Sequence, residues 1–362
     1  MKLITIIGAR PQFVKAAVVS RAIKEHNLKN PEERVEEIIV HTGQHFDGNM
    51  STVFFDQMEI PVPDHNLNIN SLSHGAMTGQ MLTKIEQVLS DERPDWVLVY
   101  GDTNSTIAGA LAAKKLHIKV AHVEAGLRSF NMDMPEEVNR IVTDRISDIL
   151  FCPTQTAVDN LMAEGYSHMP IKIDRCGDVM YDAALYYSDR AKKPQGLETN
   201  EGFVLSTVHR QENTDDEDRL RAIFGALEEI ATGTDVVIPM HPRTTKKLKG
   251  YGIKVPVRIK VLEPVGYFEM IWLLQRCGCV ITDSGGLQKE AFFFKKPCIT
   301  VRDETEWVEL TQNRVNYLTG ADKGKIVETY KTISNNSINF EMDLYGHGDT
   351  GKRIVDQLMA FV

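Results

Sequence analysis

The sequence lacks any long apolar stretch. No run in its 362 residues approaches the ~20 consecutive apolar residues that a membrane-spanning helix needs. It opens with MKLITIIG, an apolar strand pattern and not the basic segment of a secretion signal, so we expect a cytoplasmic protein. With 42% hydrophobic and 25% charged residues the chain is ordinary for a globular protein, which excludes a disordered one and allows two domains.

Basic residues are in the minority, with 41 Lys and Arg against 50 Asp and Glu. This balance disfavours nucleic acid as a partner, although a local cluster of Arg and His can still hold a diphosphate. The five cysteines are few, and Cys152, Cys279 and Cys298 lie in apolar runs, as reduced core thiols do. Cys277 and Cys279 have no neighbouring ligand residues, so we expect no metal site.

Short apolar runs alternate with helical patterns along the whole chain. KLITIIG, EEIIVHTG and DWVLVYGD are strand-like, and each is separated from the next by a helical pattern. This alternation predicts an α/β protein with two Rossmann-like domains and parallel sheets. We expect the first domain over residues 1–170 and the second over residues 171–349, with a C-terminal helix at 350–362 packing back on the first.

Ligands of open parallel sheets bind outside the carboxyl ends of the strands. The first strand ends at Gly8-Ala9-Arg10, with Lys15 one turn into the following helix. Only Gly8 of a dinucleotide fingerprint is present, so NAD and FAD are not expected and the predicted cofactor is none. Arg10 is either aimed into the site or an ordinary surface arginine.

The strongest single motif is TDSGGLQKE, which follows the strand CGCVI. Ser284, Gly285 and Gly286 open a helix whose free N–H groups and dipole suit a diphosphate. Glu290 has the acceptor capacity for ribose hydroxyls. The structural alternative is a glycine-rich turn with a capping serine.

Two further strand ends carry histidine beside arginine. His209 and Arg210 follow one strand, and His241 with Arg243 follows the next. A single histidine is usually a core residue, but two such groups in the half that holds the Ser-Gly-Gly turn would supply positive charge to phosphate oxygens. Histidine can also transfer protons near neutral pH.

The first half of the chain supplies carboxylates. Asp102 and Glu124 end apolar strands, and Glu136 and Glu137 follow Pro135. Acidic groups at strand ends are candidates for acid and base chemistry. For Glu137 we expect only an ordinary acid in the first turn of a helix.

Taken together, these motifs resemble the non-hydrolysing UDP-N-acetylglucosamine 2-epimerase family. The resemblance runs in order through nearly the whole chain, in GARPQFVK, HTGQHFD, GDTNST, HVEAGLRS, MPEEVNR, VHRQEN, HPR, EPVGY and TDSGGLQKEA. It implies domains of the glycosyltransferase-B type with an active-site cleft between them, a homodimer and interconversion of UDP-GlcNAc with UDP-ManNAc for surface polysaccharide precursors. A UDP-sugar glycosyltransferase of the same fold and a hydrolysing epimerase remain the alternatives.

The resemblance also assigns roles to residues. The expected catalytic residues are Asp102, Glu124, Glu136, His209 and Lys15. The residues expected to bind UDP or the sugar are Arg10, Arg140, Arg210, His241, Tyr267, Ser284, Gly285, Gly286, Glu290 and Arg302. Many bacterial members bind a second UDP-GlcNAc as activator, and the corresponding allosteric pair here is Gln44 and His45.

One segment departs from the usual family pattern. Arg302 is followed by DETEWVE where the family has a T-E-R-P-E sequence, and Phe292–Phe294 precede it. This variant resembles the branch that acts on UDP-2,3-diacetamido-2,3-dideoxy-glucuronate. The extra carboxylate of that sugar would need a cationic partner, for which Arg128, Arg140 and Arg302 are the candidates.

The implied chemistry is elimination of UDP followed by its readdition. Departure of UDP makes the proton on carbon 2 removable, and a proton then returns to the opposite face of a 2-acetamidoglucal-type intermediate. Such a reaction needs two proton-transfer groups and cationic or N–H groups that stabilise the leaving UDP.

Overall fold

The computed structural model describes residues 1–44, 59 and 61–361. These residues form two compact units. Unit 1 comprises Met1–Ala183 and Asp343–Val362, and unit 2 comprises Ala184–Met342.

Each unit contains one parallel sheet. The strands are β1 (Lys2–Ile7), β2 (Glu36–His41), β3 (His65–Asn66), β4 (Trp96–Tyr100), β5 (Lys119–Val123), β6 (Ile149–Cys152), β7 (Lys172–Arg175), β8 (Val204–Thr207), β9 (Val236–Pro239), β10 (Ile259–Leu262), β11 (Cys279–Thr282), β12 (Cys298–Thr300) and β13 (Asn316–Leu318). Within the described chain, the order is β3-β2-β1-β4-β5-β6-β7 in unit 1 and β10-β9-β8-β11-β12-β13 in unit 2.

Helices connect the strands in both units. They are α1 (Arg10–Lys29), α2 (His74–Glu92), α3 (Asn104–Lys115), α4 (Pro135–Ile146), α5 (Gln155–Ala163), α6 (Val179–Tyr187), α7 (Gln211–Thr214), α8 (Glu217–Ile230), α9 (Pro242–Gly250), α10 (Tyr267–Arg276), α11 (Gly285–Phe293), α12 (Val308–Gln312), α13 (Lys323–Ser334) and α14 (Thr350–Met359). Two short 3-10 turns lie at Tyr166–His168 and Ser188–Arg190. The expected α/β fold with two parallel-sheet domains is confirmed.

Hydrophobic pattern explains why these segments form these elements. The five residues of β4 are all apolar and fully buried, as in central parallel strands that are covered on both faces. In α2 the buried residues recur at helical spacing, so one stripe faces the sheet. This helix ends at Glu92, where Arg93 adopts a left-handed conformation and Pro94 follows.

The division between the units differs from the expected boundary at residues 170 and 171. Strand β7 pairs with β6, from Ile149 opposite Lys172 to Cys152 opposite Arg175, and therefore extends the first sheet. The chain passes into unit 2 only within α6. A pattern of alternating strands and helices does not reveal which sheet an edge strand joins, because that depends on pairing with a distant segment.

The C-terminal helix α14 belongs to unit 1. It packs against α1, where Gly351 approaches the Val18 side chain and backbone so closely that a β-carbon would lie 2.8 Å from Val18 Cγ1. Asp182 accepts a hydrogen bond of 2.9 Å from the Gly351 N–H at the start of α14. Among the described residues, no helix is both long and apolar enough to cross a membrane.

Candidate active site

In unit 1 the candidate groups follow neighbouring strands. Because β1, β4 and β5 are adjacent and parallel, their carboxyl ends meet at one edge of the sheet. Lys15 lies on α1 after β1, whereas Asp102 follows β4 and Glu124 follows β5. The topology therefore brings these three predicted catalytic residues to one place.

Lys15 and Glu124 form a partly buried ion pair. The Lys15 ammonium donates to Glu124 Oε2, and both side chains are only 11% exposed. The Glu124 backbone has φ +70°, a left-handed conformation that costs free energy for a residue with a side chain. A β-carbon added at Gly101 would lie 3.2 Å from Glu124 Oε2 and 3.4 Å from Lys15 Nζ, so the chain next to Asp102 runs directly along this ion pair.

Asp102 is held by a second ion pair. Arg140 of α4 donates to Asp102 Oδ2 through Nη2 and to Glu137 Oε2 through Nη1, the latter at 2.7 Å. Asn139 Nδ2 also donates to the Asp102 carbonyl at 2.9 Å. The Asp102 side chain keeps 33% exposure, which leaves it accessible for proton transfer.

Glu137 corrects an expectation from the sequence. It is not an ordinary first-turn acid but a residue with 1% exposure that accepts from Ser129 N and Oγ, Phe130 N and Arg140. Burial alone would raise its pKa, but the hydrogen bonds from Ser129 and Phe130 and the Arg140 charge outweigh burial and hold the pKa below its usual value. Its neighbour Glu136 is exposed in the first turn of α4.

The turn after β1 is tied to the turn after β4 by Gln12, a residue that sequence reasoning missed. Gln12 Oε1 accepts from the Gly8 and Ala9 N–H groups at 2.8 and 2.9 Å. Its Nε2 lies 2.7 Å from the Tyr100 carbonyl and 3.0 Å from Thr103 Oγ1. A glutamine directly after the Arg-Pro start of a helix was the available signal.

The proposed allosteric pair is only partly described. Gln44 Oε1 accepts from Ser105 Oγ at 2.8 Å and lies 3.3 Å from Ser105 N, at the start of α3. Ser105 lies three residues after Asp102 in the chain, so Gln44 contacts the turn that follows β4. His45 lies outside the described residues, as does the Arg10 side chain, although the Arg10 backbone begins α1.

In unit 2 the Ser-Gly-Gly turn caps a helix. Ser284 is the N-cap of α11, and its hydroxyl accepts from Leu287 N at 3.5 Å. A β-carbon at Gly286 would meet nothing within 4 Å, so the space beside this turn is open. Glu290 lies further along α11 and is half-buried. Open space at a helix N-terminus suits an anion.

His209 is positioned by Asp283, whose role the sequence did not reveal. Asp283 is fully buried and accepts from the N–H groups of His209 and Arg210 at 2.9 and 3.0 Å. Burial lowers the pKa of His209, and the charges of His241 and Arg210 lower it further, although Asp283 opposes them. His209 therefore favours its neutral form.

His241 caps the neighbouring helix and faces His209. Its Nδ1 accepts from Arg243 N at 3.1 Å at the start of α9. The His209 and His241 ring centroids lie 5.5 Å apart. The strands β8 and β9 that carry the two histidines are adjacent, so the predicted histidine pair is brought together.

Arg302 and Arg210 share one carboxylate, that of Glu306. Arg302 Nη1 donates to Glu306 Oε2 at 2.9 Å, and Arg210 Nη2 lies 4.0 Å from Glu306 Oε1. Burial raises the pKa of Glu306, but the two arginines outweigh burial and lower it. A β-carbon on Gly285 would lie 2.3 Å from Glu306 Oε1, so a side chain at this position would displace the Glu306 carboxylate.

The segment that departs from the family pattern contacts the Ser-Gly-Gly turn. Trp307 is buried, and its Nε1 donates to the Gly285 carbonyl at 2.9 Å. Lys289 Nζ lies 4.2 Å from the Trp307 ring centroid. Tyr267 begins α10, and its ring packs edge-on against Tyr187 at 5.9 Å.

All three arginines suggested for a sugar carboxylate have acidic partners, and two of them pair with two carboxylates each. Arg128 is buried and pairs with Asp144 and Glu164 at 2.7 Å each, which raises the pKa of its guanidinium. Arg140 bridges Asp102 and Glu137. Arg302 has 5% exposure, and its Nε has no hydrogen-bond partner among the described residues. Arg302 thus has one carboxylate partner, Glu306, and one buried N–H without a partner among the described residues.

The arrangement divides the chemistry between the units. Unit 1 offers carboxylates and a lysine that can move protons, and unit 2 offers a helix N-terminus, histidines and arginines that can stabilise an anionic leaving group. In the part of the chain that the structure describes, no group of three or more His, Cys, Asp or Glu residues could hold a metal ion.

Comparison with known proteins identifies the family. Residues 27–359 match the family model described as UDP-N-acetylglucosamine 2-epimerase. A UDP-2,3-diacetamido-2,3-dideoxy-D-glucuronate 2-epimerase of Pseudomonas aeruginosa is 57% identical over 359 residues, which cover 99% of both chains.

Solved structures agree. The crystal structure of the Methanocaldococcus jannaschii UDP-GlcNAc 2-epimerase in complex with UDP-GlcNAc and UDP matches with a TM-score of 0.85 at 41% identity, covering 99% of this chain and 100% of that one. The Neisseria meningitidis UDP-GlcNAc 2-epimerase bound to UDP-GlcNAc matches with a TM-score of 0.85 at 30% identity and the same coverage, 99% and 100%. Fold and matches together define an epimerase, and therefore an isomerase. The chain belongs to the UDP-N-acetylglucosamine 2-epimerase family.

Proposed function

We propose that this protein inverts carbon 2 of UDP-2,3-diacetamido-2,3-dideoxy-glucuronate. The observation that carries the reaction type is the Lys15–Glu124 ion pair beside Gly101 and Asp102, because it concentrates proton-transfer groups at one sheet edge. The choice of sugar is supported by the Pseudomonas aeruginosa relative, which carries that substrate in its name and is 57% identical over nearly the whole chain.

The reaction is an elimination followed by a readdition. The C1–O bond breaks with its electron pair leaving on UDP, and a base in unit 1 takes the proton from carbon 2, which gives a glycal. UDP then returns to C1 while a second group delivers a proton to the opposite face of carbon 2. No electrons are gained or lost overall, so the reaction requires no redox cofactor.

Glu124 and Asp102 are our candidates for the two proton-transfer groups, with the exposed Glu136 as a third. Glu124 is held in an ion pair with the Lys15 ammonium. Asp102 is one-third exposed while Arg140 holds it in place.

Unit 2 binds UDP in this proposal. The N-terminus of α11 with Ser284, Gly285 and Gly286 would hold the diphosphate, and Glu290 would accept from the ribose hydroxyls. His209, Arg210 and His241 would add donors that stabilise the leaving UDP, as would Arg10 from unit 1. The family resemblance suggests that Tyr267 lies near the nucleobase of UDP.

Arg302 is the proposed partner of the sugar carboxylate. It is buried and keeps an unpaired Nε, and the planar guanidinium suits a carboxylate. Burying a donor without a partner costs free energy, so a ligand carboxylate that completes it would gain affinity. UDP-GlcNAc lacks this carboxylate and would leave the donor unsatisfied.

The cellular setting is part of the proposal. All five cysteines are buried free thiols, which favours a reducing compartment and hence the cytoplasm. The family resemblance supports a homodimer and a role in supplying surface polysaccharide precursors. Gln44 and His45 would bind an activating UDP-sugar if this chain follows the bacterial pattern of regulation.

The test is a comparison of two substrates by NMR. Purified protein is incubated separately with UDP-2,3-diacetamido-2,3-dideoxy-glucuronate and with UDP-GlcNAc, and the anomeric signals of both epimers are followed over time. We expect the glucuronate to be epimerised faster. Equal or faster conversion of UDP-GlcNAc would overturn the substrate choice. Release of free sugar and UDP would indicate a hydrolysing epimerase, and transfer only to an added acceptor would indicate a glycosyltransferase.

A further inference from the structure

A buried histidine precedes Glu124 in the chain and contacts the backbone next to Asp102. His122 is on β5, two residues before Glu124, and its side chain has 0% exposure. Its Nε2 lies 2.7 Å from the Gly101 carbonyl, and its Nδ1 lies 2.7 Å from Asp144 Oδ1. Both ring nitrogens therefore contact oxygen acceptors, and the ring cannot reach solvent or substrate.

Asp144 links His122 to Gly126 and Arg128. It lies on α4 with 0% exposure, and its second oxygen accepts from Gly126 N at 3.1 Å and from Arg128 Nη1 at 2.7 Å. Arg128 in turn donates through Nε and Nη2 to the two oxygens of Glu164 at 2.7 and 2.8 Å. The result is a chain of hydrogen bonds among charged groups that is buried except at Glu164. Charged hydrogen bonds are stronger than neutral ones.

Two of the contacts in this chain lie beside the candidate proton-transfer groups. Gly101 immediately precedes Asp102, and Gly126 follows Glu124 by two residues. Gly101, Glu124 and Gly126 all have left-handed backbones, with φ of +62°, +70° and +78°. A strained conformation at Glu124 persists only where its surroundings enforce it. The Glu124 N–H donates to the Phe151 carbonyl at 3.1 Å, and the contacts of His122 with Gly101 and of Asp144 with Gly126 hold the neighbouring turns.

We propose that His122 and Asp144 are positioning residues that fix the distance between Asp102 and Glu124. They act through the Gly101 carbonyl and the Gly126 N–H and do not touch substrate. Proton transfer depends steeply on geometry, and a displacement of about 1 Å can lower a rate on the order of 100-fold. The inference rests on the proposed epimerase reaction, which supplies the need for two groups at a fixed separation.

Two substitutions of His122 separate its contact with Asp144 from its contact with Gly101. In His122→Asn the amide nitrogen can replace Nδ1 and keep the contact with Asp144, but it cannot reach Gly101. In His122→Gln the longer side chain can replace Nε2 and keep the contact with Gly101. We expect turnover to fall about 10-fold to 100-fold in His122→Asn and less in His122→Gln, while UDP affinity stays unchanged in both.

Asp144→Asn tests the contacts that Asp144 makes with His122, Gly126 and Arg128. The amide oxygen can still accept from Gly126 and Arg128, but the amide nitrogen that replaces the other oxygen cannot accept from His122, and the negative charge beside Arg128 is lost. The segment that carries Glu124 is therefore expected to shift. Turnover should fall on the same scale as in His122→Asn, again with UDP affinity unchanged.

The decisive readout is the ratio of free UDP released to epimer formed, measured by NMR in deuterated water. A misplaced proton-transfer group slows return of the proton to the glycal, so the intermediate and UDP escape more often and this ratio rises. Loss of folded protein lowers both quantities equally and leaves the ratio constant. Val120→Ala on the same strand, which removes buried methyl groups without touching the hydrogen-bond chain, is the matched control.

The outcomes distinguish this inference from the proposed function. If the unchanged protein forms no epimer, the proposed function fails. If it does form epimer but His122→Asn and Asp144→Asn keep the control's ratio and turnover, the positioning role is wrong. A raised ratio in these two variants, with the Val120→Ala ratio unchanged, supports it.

Discussion

The two units share one architecture and carry opposite chemistry. Both have parallel sheets whose functional residues follow the carboxyl ends of the strands. In unit 1 those ends carry Asp102 and Glu124, each bound to a cation, whereas in unit 2 they carry His209, His241 and the start of α11. The sheet therefore sets where chemistry occurs, and the residue after each strand sets which chemistry it is.

The units also differ in how their charges are balanced. In unit 1, Glu124 pairs with Lys15 and Asp102 pairs with Arg140, and the Glu124 backbone is left-handed. In unit 2, Arg210 and Arg302 share the single carboxylate of Glu306, and the Arg302 Nε remains without a partner among the described residues. In unit 1 each of the two candidate carboxylates has its own cation, whereas in unit 2 two cations share one carboxylate.

The largest expected effect comes from removing a unit 1 charge. Glu124→Gln removes the carboxylate that pairs with Lys15 and keeps the shape of the side chain. We expect turnover to fall about 100-fold or more, since general acid and base groups contribute on that scale, while UDP binding measured by calorimetry is retained. Near-normal turnover would refute the proposal that Glu124 of unit 1 transfers a proton in the reaction.

The next effect uses one helix cap from each unit. Ser284→Ala removes the cap of α11, and Thr154→Ala removes the cap of α5, whose hydroxyl accepts from Ala157 N at 3.2 Å. Each substitution should cost about 1 kcal/mol of stability. Only Ser284→Ala should also weaken UDP binding, by roughly 1 to 3 kcal/mol. Equal UDP affinities in the two variants would show that the α11 cap is structural alone.

A smaller effect is expected from pH. The pKa of His209 is lowered in the free protein, chiefly by burial, so folding favours its neutral form. Without ligand, stability should therefore fall as pH drops below about 6.5, where the unfolded histidine gains a proton.

A bound diphosphate would raise this pKa again. UDP binding should then take up a proton, and UDP affinity should rise several-fold as pH falls from about 8 to 6. Calorimetry in two buffers of different ionisation enthalpy measures this uptake directly. Uptake that persists in His209→Asn would assign it to another group.

The smallest effect concerns the segment that departs from the family pattern. Trp307→Phe removes the donor to the Gly285 carbonyl and should weaken UDP binding by about 1 kcal/mol. Trp272→Phe, in the same unit, is the control, because its ring contacts Arg276 and Lys193 instead. Equal UDP affinities in the two variants would show that Trp307 does not support UDP binding at the Ser-Gly-Gly turn.

Much of the site could be predicted because its logic is local. A residue that directly follows an apolar strand lies at the carboxyl edge of the sheet, so Asp102, Glu124, His209 and Ser284 could be found from short motifs. The capping role of Ser284 likewise follows from its position before two glycines.

What could not be predicted depends on contacts between distant segments. The Glu137 carboxylate is buried only because the chain at Ser129 and Phe130 folds back over α4. His122 and Asp144 meet because a strand and a helix that are separate in sequence pack together. The boundary between the units differs from the expected one for the same reason, because β7 pairs with β6, from which a helix separates it in the chain.

The most direct test of the central claim is the deuterium content at carbon 2 after epimerisation in deuterated water. If the reaction is an elimination and readdition run by the unit 1 carboxylates, the epimer of UDP-2,3-diacetamido-2,3-dideoxy-glucuronate will carry deuterium at carbon 2, and Glu124→Gln will form it far more slowly. An epimer that retains its original proton at carbon 2 would contradict the account.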